Sequence, residues 1–158
     1  MKKLLLILIC LPLLFTTCKK EDDSPNTTGN NSMTYVPDDN FEQTLIVLGY
    51  DNVLDDYVLT SNIQNIDSIN LCCFNMSNLV GIEDFTDLQY LRCCCNELTS
   101  LDLSSNINLK YLNCEDNMQL TSLNLNNNTQ LSYLDCNNMQ LTSLDLSNNL
   151  MLKTLYVH

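Results

Sequence analysis

The chain has no tryptophan and a single histidine, His158, its last residue. Without an imidazole inside the folded part, neither a Ser/His/Asp nor a Cys/His arrangement can be preorganised. The motifs GxxxxGK, GxGxxG, GxSxG and HExxH are missing too. The sequence therefore predicts no enzyme, no catalytic residues and no cofactor. Basic residues are scarce, seven Lys and Arg against 19 Asp and Glu, for a net charge of −12. Such a surface repels nucleic acid, which is excluded as a partner. With only three glycines and three prolines, tight turns must be made by other residues. Asparagine is abundant, and its side chain can satisfy the backbone of its own turn. The apolar fraction of 45% is enough for one domain with a core.

The run "LLLILICLPLLF", preceded by "MKK", is too short to cross a hydrocarbon layer of roughly 30 Å. It reads as a signal peptide over residues 1–17. The adjoining stretch "FTTCKKEDDSP" resembles a bacterial lipobox with Cys18 as the lipidated residue, although Thr17 stands where Gly, Ala or Ser is usual. "CKKEDD" resembles the acidic export signal of surface lipoproteins in Bacteroidetes. This resemblance implies a lipid-anchored protein of the outer membrane or cell surface, with secretion or a periplasmic location as the alternative. Residues 18–33 form a polar tether. Residues 34–65 form an N-terminal cap with one helix at about 39–48, an N-cap at Asp39, Glu42 three residues on and Gly49 as the stop. The phrase "TYVPDDNFEQTLIVLGYDNVLDDYVLT" is similar to the N-terminal segment of secreted flavobacterial repeat proteins.

From residue 66 the chain is periodic. Units of the form LxxLxΦxxN begin at Leu88, Leu98, Leu109, Leu120, Leu131, Leu141 and Leu152, with an imperfect earlier one, "IDSINLCCF", at Ile66. Position six alternates Cys93, Leu103, Cys114, Leu125, Cys136, Leu146, so the true repeat is a pair of halves totalling 21 or 22 residues. A period in the twenties with LxxLxL and a downstream Asn is the signature of a leucine-rich-repeat solenoid. The nested halves resemble the IRREKO type, and "NLVGIEDFTDLQYL" at 78–91 resembles an internalin repeat. The expected architecture is β-rich, with four coils (66–87, 88–108, 109–130, 131–151), a partial coil to residue 158, and short parallel strands on two sides. Positions one, four and six point inward. Asn96, Asn106, Asn117, Asn128 and Asn149 form a ladder at the bends, while Asn138 arrives one residue early and shortens its turn.

The cysteines divide along this register. Cys93, Cys114 and Cys136 take inward places, where a thiol packs as a small apolar group. Cys72, Cys73, Cys94 and Cys95 flank those places and are equivalents 22 residues apart. Rungs about 4.8 Å apart permit a disulfide between Cys72 and Cys94 or between Cys73 and Cys95. Free thiols are the alternative. A zinc site is disfavoured because no CxxC knuckle is present and adjacent cysteines on a strand face opposite ways.

Outward position three carries Tyr90, Tyr111 and Tyr133 in the cysteine halves, and Ser100, Ser122 and Ser143 in the leucine halves. Tyrosine combines apolar area with a hydroxyl, as recognition surfaces do. With Arg92, Asn113, Asp135 and Tyr156 as neighbours, this stripe is the expected binding surface for a protein or a surface glycan. A shortened structural copy of a longer repeat adhesin, and a metal-binding protein using the outward cysteines, are the alternatives. The uncapped end "LKTLYVH" predicts self-association through the C-terminal edge.

Overall fold

A computed structural model describes residues 32–158. The signal peptide, Cys18 and all but the end of the tether lie outside the described residues. The cap opens with β1 (Met33–Tyr35), followed by helix α1 (Asp39–Val47). The helix begins within the expected span, but its cap lies one residue earlier. Asp38, not Asp39, is the N-cap, accepting bonds from the backbone N–H of Asn40 (3.1 Å) and Phe41 (3.0 Å). Glu42 does not reach back to close a capping box; its carboxylate accepts from the Asp55 N–H at 2.8 Å. The helix stops at Gly49, whose φ of 82° is left-handed. Gly49 N–H bonds the Ile46 carbonyl and Tyr50 N–H bonds that of Leu45, the paired closure of a Schellman motif.

The cap contains more than this helix. Strand β2 (Tyr57–Leu59) pairs antiparallel with β1, and α2 (Thr60–Ile63) adds one helical turn. The cap covers the apolar end of the first coil, with the Phe41 ring stacked 6.1 Å from that of Phe85. Asp38 also ties the cap to that coil, its second oxygen accepting from the Ser77 N–H and hydroxyl, both at 2.7 Å. Burial pushes its pKa up, but these bonds and those from Phe41 and Asn78 outweigh burial and hold the carboxyl below its ordinary value.

The coils then stack as the register requires. Strands β3 (Ser68–Asn70), β4 (Tyr90–Arg92), β6 (Tyr111–Asn113), β8 (Tyr133–Asp135) and β9 (Thr154–Tyr156) form one parallel sheet in that order. The ladder runs past the strands into position six, where the N–H groups of Leu71, Cys93, Cys114 and Cys136 each bond a carbonyl of the next coil at 2.7–2.9 Å. Position four is buried at Ile69, Leu91, Leu112 and Leu134. The opposite side is thinner than expected: only β5 (Ser100–Asp102) and β7 (Ser122–Asn124) pair there. In the first coil that side is a 3-10 turn, Ile82–Asp84, begun by Gly81 at φ 101°. A Cβ on Gly81 would lie 2.8 Å from the Tyr35 carbonyl oxygen, so the close approach of β1 requires glycine.

Asparagine closes the bends. Asn96, Asn106, Asn117, Asn128 and Asn149 are buried, and each donates to a carbonyl of the preceding coil at 2.7–3.1 Å. Asn138 stands outside this ladder, exposed at φ 56°, and Met139 packs on the core where the ladder residue would be.

Candidate functional site

Stacking in register puts Ser68, Tyr90, Tyr111, Tyr133 and Thr154 in one column across the five-stranded sheet. Tyr111 and Tyr133 stack face to face, with centroids 4.3 Å apart and planes 9° from parallel. Tyr90 follows at 6.2 Å from Tyr111. Tyr156 joins from position five and packs diagonally on Tyr133 at 6.0 Å. Desolvation by burial, then the bond with Tyr111 and nearby negative charge, push the Tyr133 phenol up to about 12. The column therefore presents hydroxyls and ring edges, because its inner ring faces are already covered.

Position five shows a regularity that the leucine pattern alone does not reveal. Asn70, Asp102, Asn113, Asn124, Asp135 and Asp145 each turn a side-chain oxygen back to accept the N–H two residues ahead, at 2.9–3.4 Å. This Asx closure ends the strand and starts the bend. It also corrects the assignment of Asn113 and Asp135 to the binding surface. Both are buried, at 5% and 7% exposure, and serve the bend instead. The signal was legible as an Asn or Asp two residues before each bend. Two position-five residues break the pattern, Arg92 and Tyr156, and both are exposed.

The column stops at Ser68, whose small side chain leaves one side of Tyr90 uncovered. Ser68, Ile69, Asn70, Tyr90, Arg92 and Tyr111 line an open depression of about 320 Å³. Among the described residues the arginine and lysines are Arg92, Lys110 and Lys153. Arg92 lies on β4, while Lys110 and Lys153 immediately precede β6 and β9, so all three belong to this side of the solenoid. Lys110 bonds the Gln89 side chain at 2.8 Å, whereas the Arg92 guanidinium has no partner among the described residues.

The sulfur atoms lie beside this face. Cys72 and Cys94 are bridged, with Cα atoms 4.6 Å apart, and Cys73 and Cys95 remain free and exposed. Cys93, Cys114 and Cys136 are buried, one per coil. Burial pushes the Cys93 thiol up to about 12 and, helped by Asp135, that of Cys136 to about 11. Among the described residues no group of three or more His, Cys, Asp or Glu side chains is placed to hold a metal ion.

The functional domain of InlJ from Listeria monocytogenes, which includes a cysteine ladder, is similar to this chain at 33% identity and a TM-score of 0.69. The match covers 79% of this chain and 28% of that one. This is a leucine-rich-repeat solenoid. Two further L. monocytogenes structures are similar to it. Internalin InlF matches at 20% identity and TM-score 0.42, over 78% of this chain and 51% of its own. Internalin C2 matches at 18% and 0.44, over 78% and 75%. The solenoid is thus similar to that of the InlJ domain, of which the chain spans a little over a quarter. No protein-family model and no curated protein matches it.

Proposed function

We propose that this leucine-rich-repeat protein is a surface-displayed binding protein, without catalytic activity, that docks another protein on its five-stranded sheet. The observation that carries this reading is the pair of exceptions at position five. Arg92 and Tyr156 take no part in the Asx closure made by the other six residues of that register. Their side chains are free for contact and stand beside the tyrosine column. Tyr and Arg are the residues that dominate protein interfaces. A glycan ligand is less well served, because the Tyr111 and Tyr133 faces that would stack on a sugar are stacked on each other. The cations on this face, on a chain otherwise strongly acidic, suit a partner surface bearing carboxylates, one of which the Arg92 fork can take in two parallel bonds.

Cys18 is proposed to carry the lipid anchor that holds the solenoid at the bacterial surface. Cys18→Ser is then expected to move the protein from the membrane to the soluble fraction. Unchanged membrane association, with no acyl label on the native protein, would refute the anchor. Docking is tested with a photo-crosslinking residue placed at Tyr90 and, separately, at Ser122 on the opposite side. Adducts with a discrete protein on intact cells are expected from position 90 alone, and Arg92→Gln should weaken them. Equal adducts from both positions would overturn the assignment of the face. Strand β9 and the exposed Leu155 and Val157 also support pairing with a second copy. Light scattering should then show concentration-dependent association that Leu155→Lys suppresses; a strict monomer at all concentrations would exclude it.

A further inference from the structure

Position eight of the cysteine halves forms its own column. Cys73, Cys95, Asp116 and Asn138 occupy it in successive coils, all left-handed, at φ 66°, 53°, 58° and 56°. Side chains in this column meet across one coil. The Asn138 amide donates to the Asp116 carboxylate at 2.7 Å, and the Cys95 thiol lies 3.8 Å from the other Asp116 oxygen. Cys73 and Cys95 are neighbours in this column, on the first two coils. Their backbones are held in step, because the Cys73 N–H bonds the Cys94 carbonyl at 3.0 Å and the Cys95 N–H bonds that of Glu115 at 3.0 Å. The preceding pair, Cys72 and Cys94, is already bridged at a Cα separation of 4.6 Å. One further residue along parallel chains keeps the spacing near the ~4.8 Å of adjacent strands, inside the range a disulfide accepts. Both sulfurs are exposed, whereas the thiols of Cys93, Cys114 and Cys136 are shut inside the coils.

We propose that Cys73 and Cys95 form a thiol–disulfide exchange site, an exposed dithiol that a small-molecule or protein disulfide converts to a second bridge between the first two coils. One cysteine, as thiolate, attacks a sulfur of the reagent disulfide and releases the first reagent thiolate. The other loses its proton and attacks the resulting mixed disulfide at the protein sulfur, expelling the second. Two protein S–H groups are oxidised, one reagent S–S bond is reduced to two thiols, and a dithiol reductant reverses the sequence. The mixed disulfide is short-lived because the second cysteine stands at the same register on the adjacent coil. The Cys95 thiol is pushed up to about 11, first by the neighbouring Cys73 thiol and then by burial and neighbouring negative charge. Exchange is therefore slow at neutral pH and quickens as the pH rises.

The test uses the full chain treated with oxidised glutathione at pH 8.5, followed by alkylation and peptide mass spectrometry. The expected product has lost two hydrogens, joins Cys73 to Cys95, keeps Cys72 joined to Cys94, and carries no glutathione at either position. Cys95→Ser should trap a stable glutathione adduct on Cys73, and Cys72→Ala with Cys94→Ala should still form the Cys73–Cys95 bridge. Separate adducts on both cysteines of the native chain, or no reaction after a day, would overturn the proposal. So would loss of the bridge in the Cys72/Cys94 double variant, since the bridge would then arise from reshuffling of the existing disulfide.

Discussion

The two long sides of the solenoid are built from the same LxxLxΦxxN phrase and differ in almost everything else. The cysteine side is one continuous parallel sheet of five strands, while the leucine side holds a single strand pair. Their bend asparagines differ as well. On the cysteine side the Asn96 oxygen accepts from the Phe74 and Met76 N–H groups, and that of Asn117 accepts from Leu98. On the leucine side the side-chain oxygens of Asn106, Asn128 and Asn149 are buried without a partner. A shared inward pattern thus fixes the coil, and the backbone that each bend presents decides whether the Asn is fully used. The side whose ladder asparagines use both side-chain atoms is the one that displays tyrosine.

The largest expected effect contrasts position four on the two sides. Leu112 is wholly buried under β6, whereas Leu123 on β7 is only partly covered. Leu112→Ala should cost about 2–5 kcal/mol by leaving a cavity, and Leu123→Ala distinctly less. Tyr111→Ala, next to Leu112 but on the outer face, should cost under about 1.5 kcal/mol while reducing partner binding. Denaturant unfolding measures all three. Equal losses for Leu112 and Tyr111 would break the inward and outward assignment.

The bend residues sharpen the contrast further. Asn117→Ala removes the amide bonds to the Cys114 carbonyl and the Leu98 N–H and one of two bonds to the Cys93 carbonyl, so about 3 kcal/mol is expected. Asn128→Ala removes one bond from each of the Leu103 and Asn106 carbonyls, which keep the Asn106 and Leu109 N–H groups, and should cost about 2 kcal/mol. An equal or larger loss at Asn128 would mean that its oxygen has a partner in solution, such as a buried water. Position six gives a size test. Cys114 is fully buried between coils that carry Cys93 and Cys136 at the same place, and Cys114→Leu should overpack the cysteine side by about 1–3 kcal/mol. If it is neutral, side-chain volume is not what distinguishes the two halves.

The repeat, its inward positions and the asparagine ladder could be read from the sequence because each recurs with the coil and needs only one coil to be recognised. The features that escaped depend on how coils meet. Asn113 and Asp135 alternate outward along their strands, yet stacking and the Asx closure bury them. The cap strands β1 and β2 pair across more than twenty residues of chain, with no period to reveal them. In the first coil the leucine side lacks a strand because of Gly81, a single residue whose left-handed turn replaces it. Of the candidate site, the tyrosine column was legible and its end at Ser68 was not. The significance of Arg92 emerges only when the other position-five residues are seen to be occupied.

The smallest effect concerns two aspartates at the same register on opposite sides. Asp102, on the leucine side, accepts bonds from the Ser104 N–H and hydroxyl and the Asn124 amide, which together outweigh its burial and hold its pKa below the ordinary value. Asp135, on the cysteine side, is raised, first by burial and then by Glu115 and Asp116, against the opposing bonds from Asn137 and Tyr133. The signs of their linkage to folding are opposite. Asp102 contributes stability that is present above the unfolded carboxyl pKa and is lost as pH falls through its lower folded value. Asp135 contributes stability only while protonated, so its contribution falls as pH rises from the unfolded value through the raised one, and at neutral pH its charge is unfavourable. Asp102→Asn should therefore destabilise the protein at pH 7 by a few tenths of a kcal/mol, discounted for its exposure. Asp135→Asn keeps the oxygen that closes the bend and removes the charge, so a gain of about 0.5 kcal/mol is expected at pH 7, vanishing near pH 3. Thermal unfolding of both variants across pH 3–7 measures the difference. Parallel pH profiles for the two would show that the sides do not differ electrostatically and that Glu115 and Asp116 are screened from Asp135.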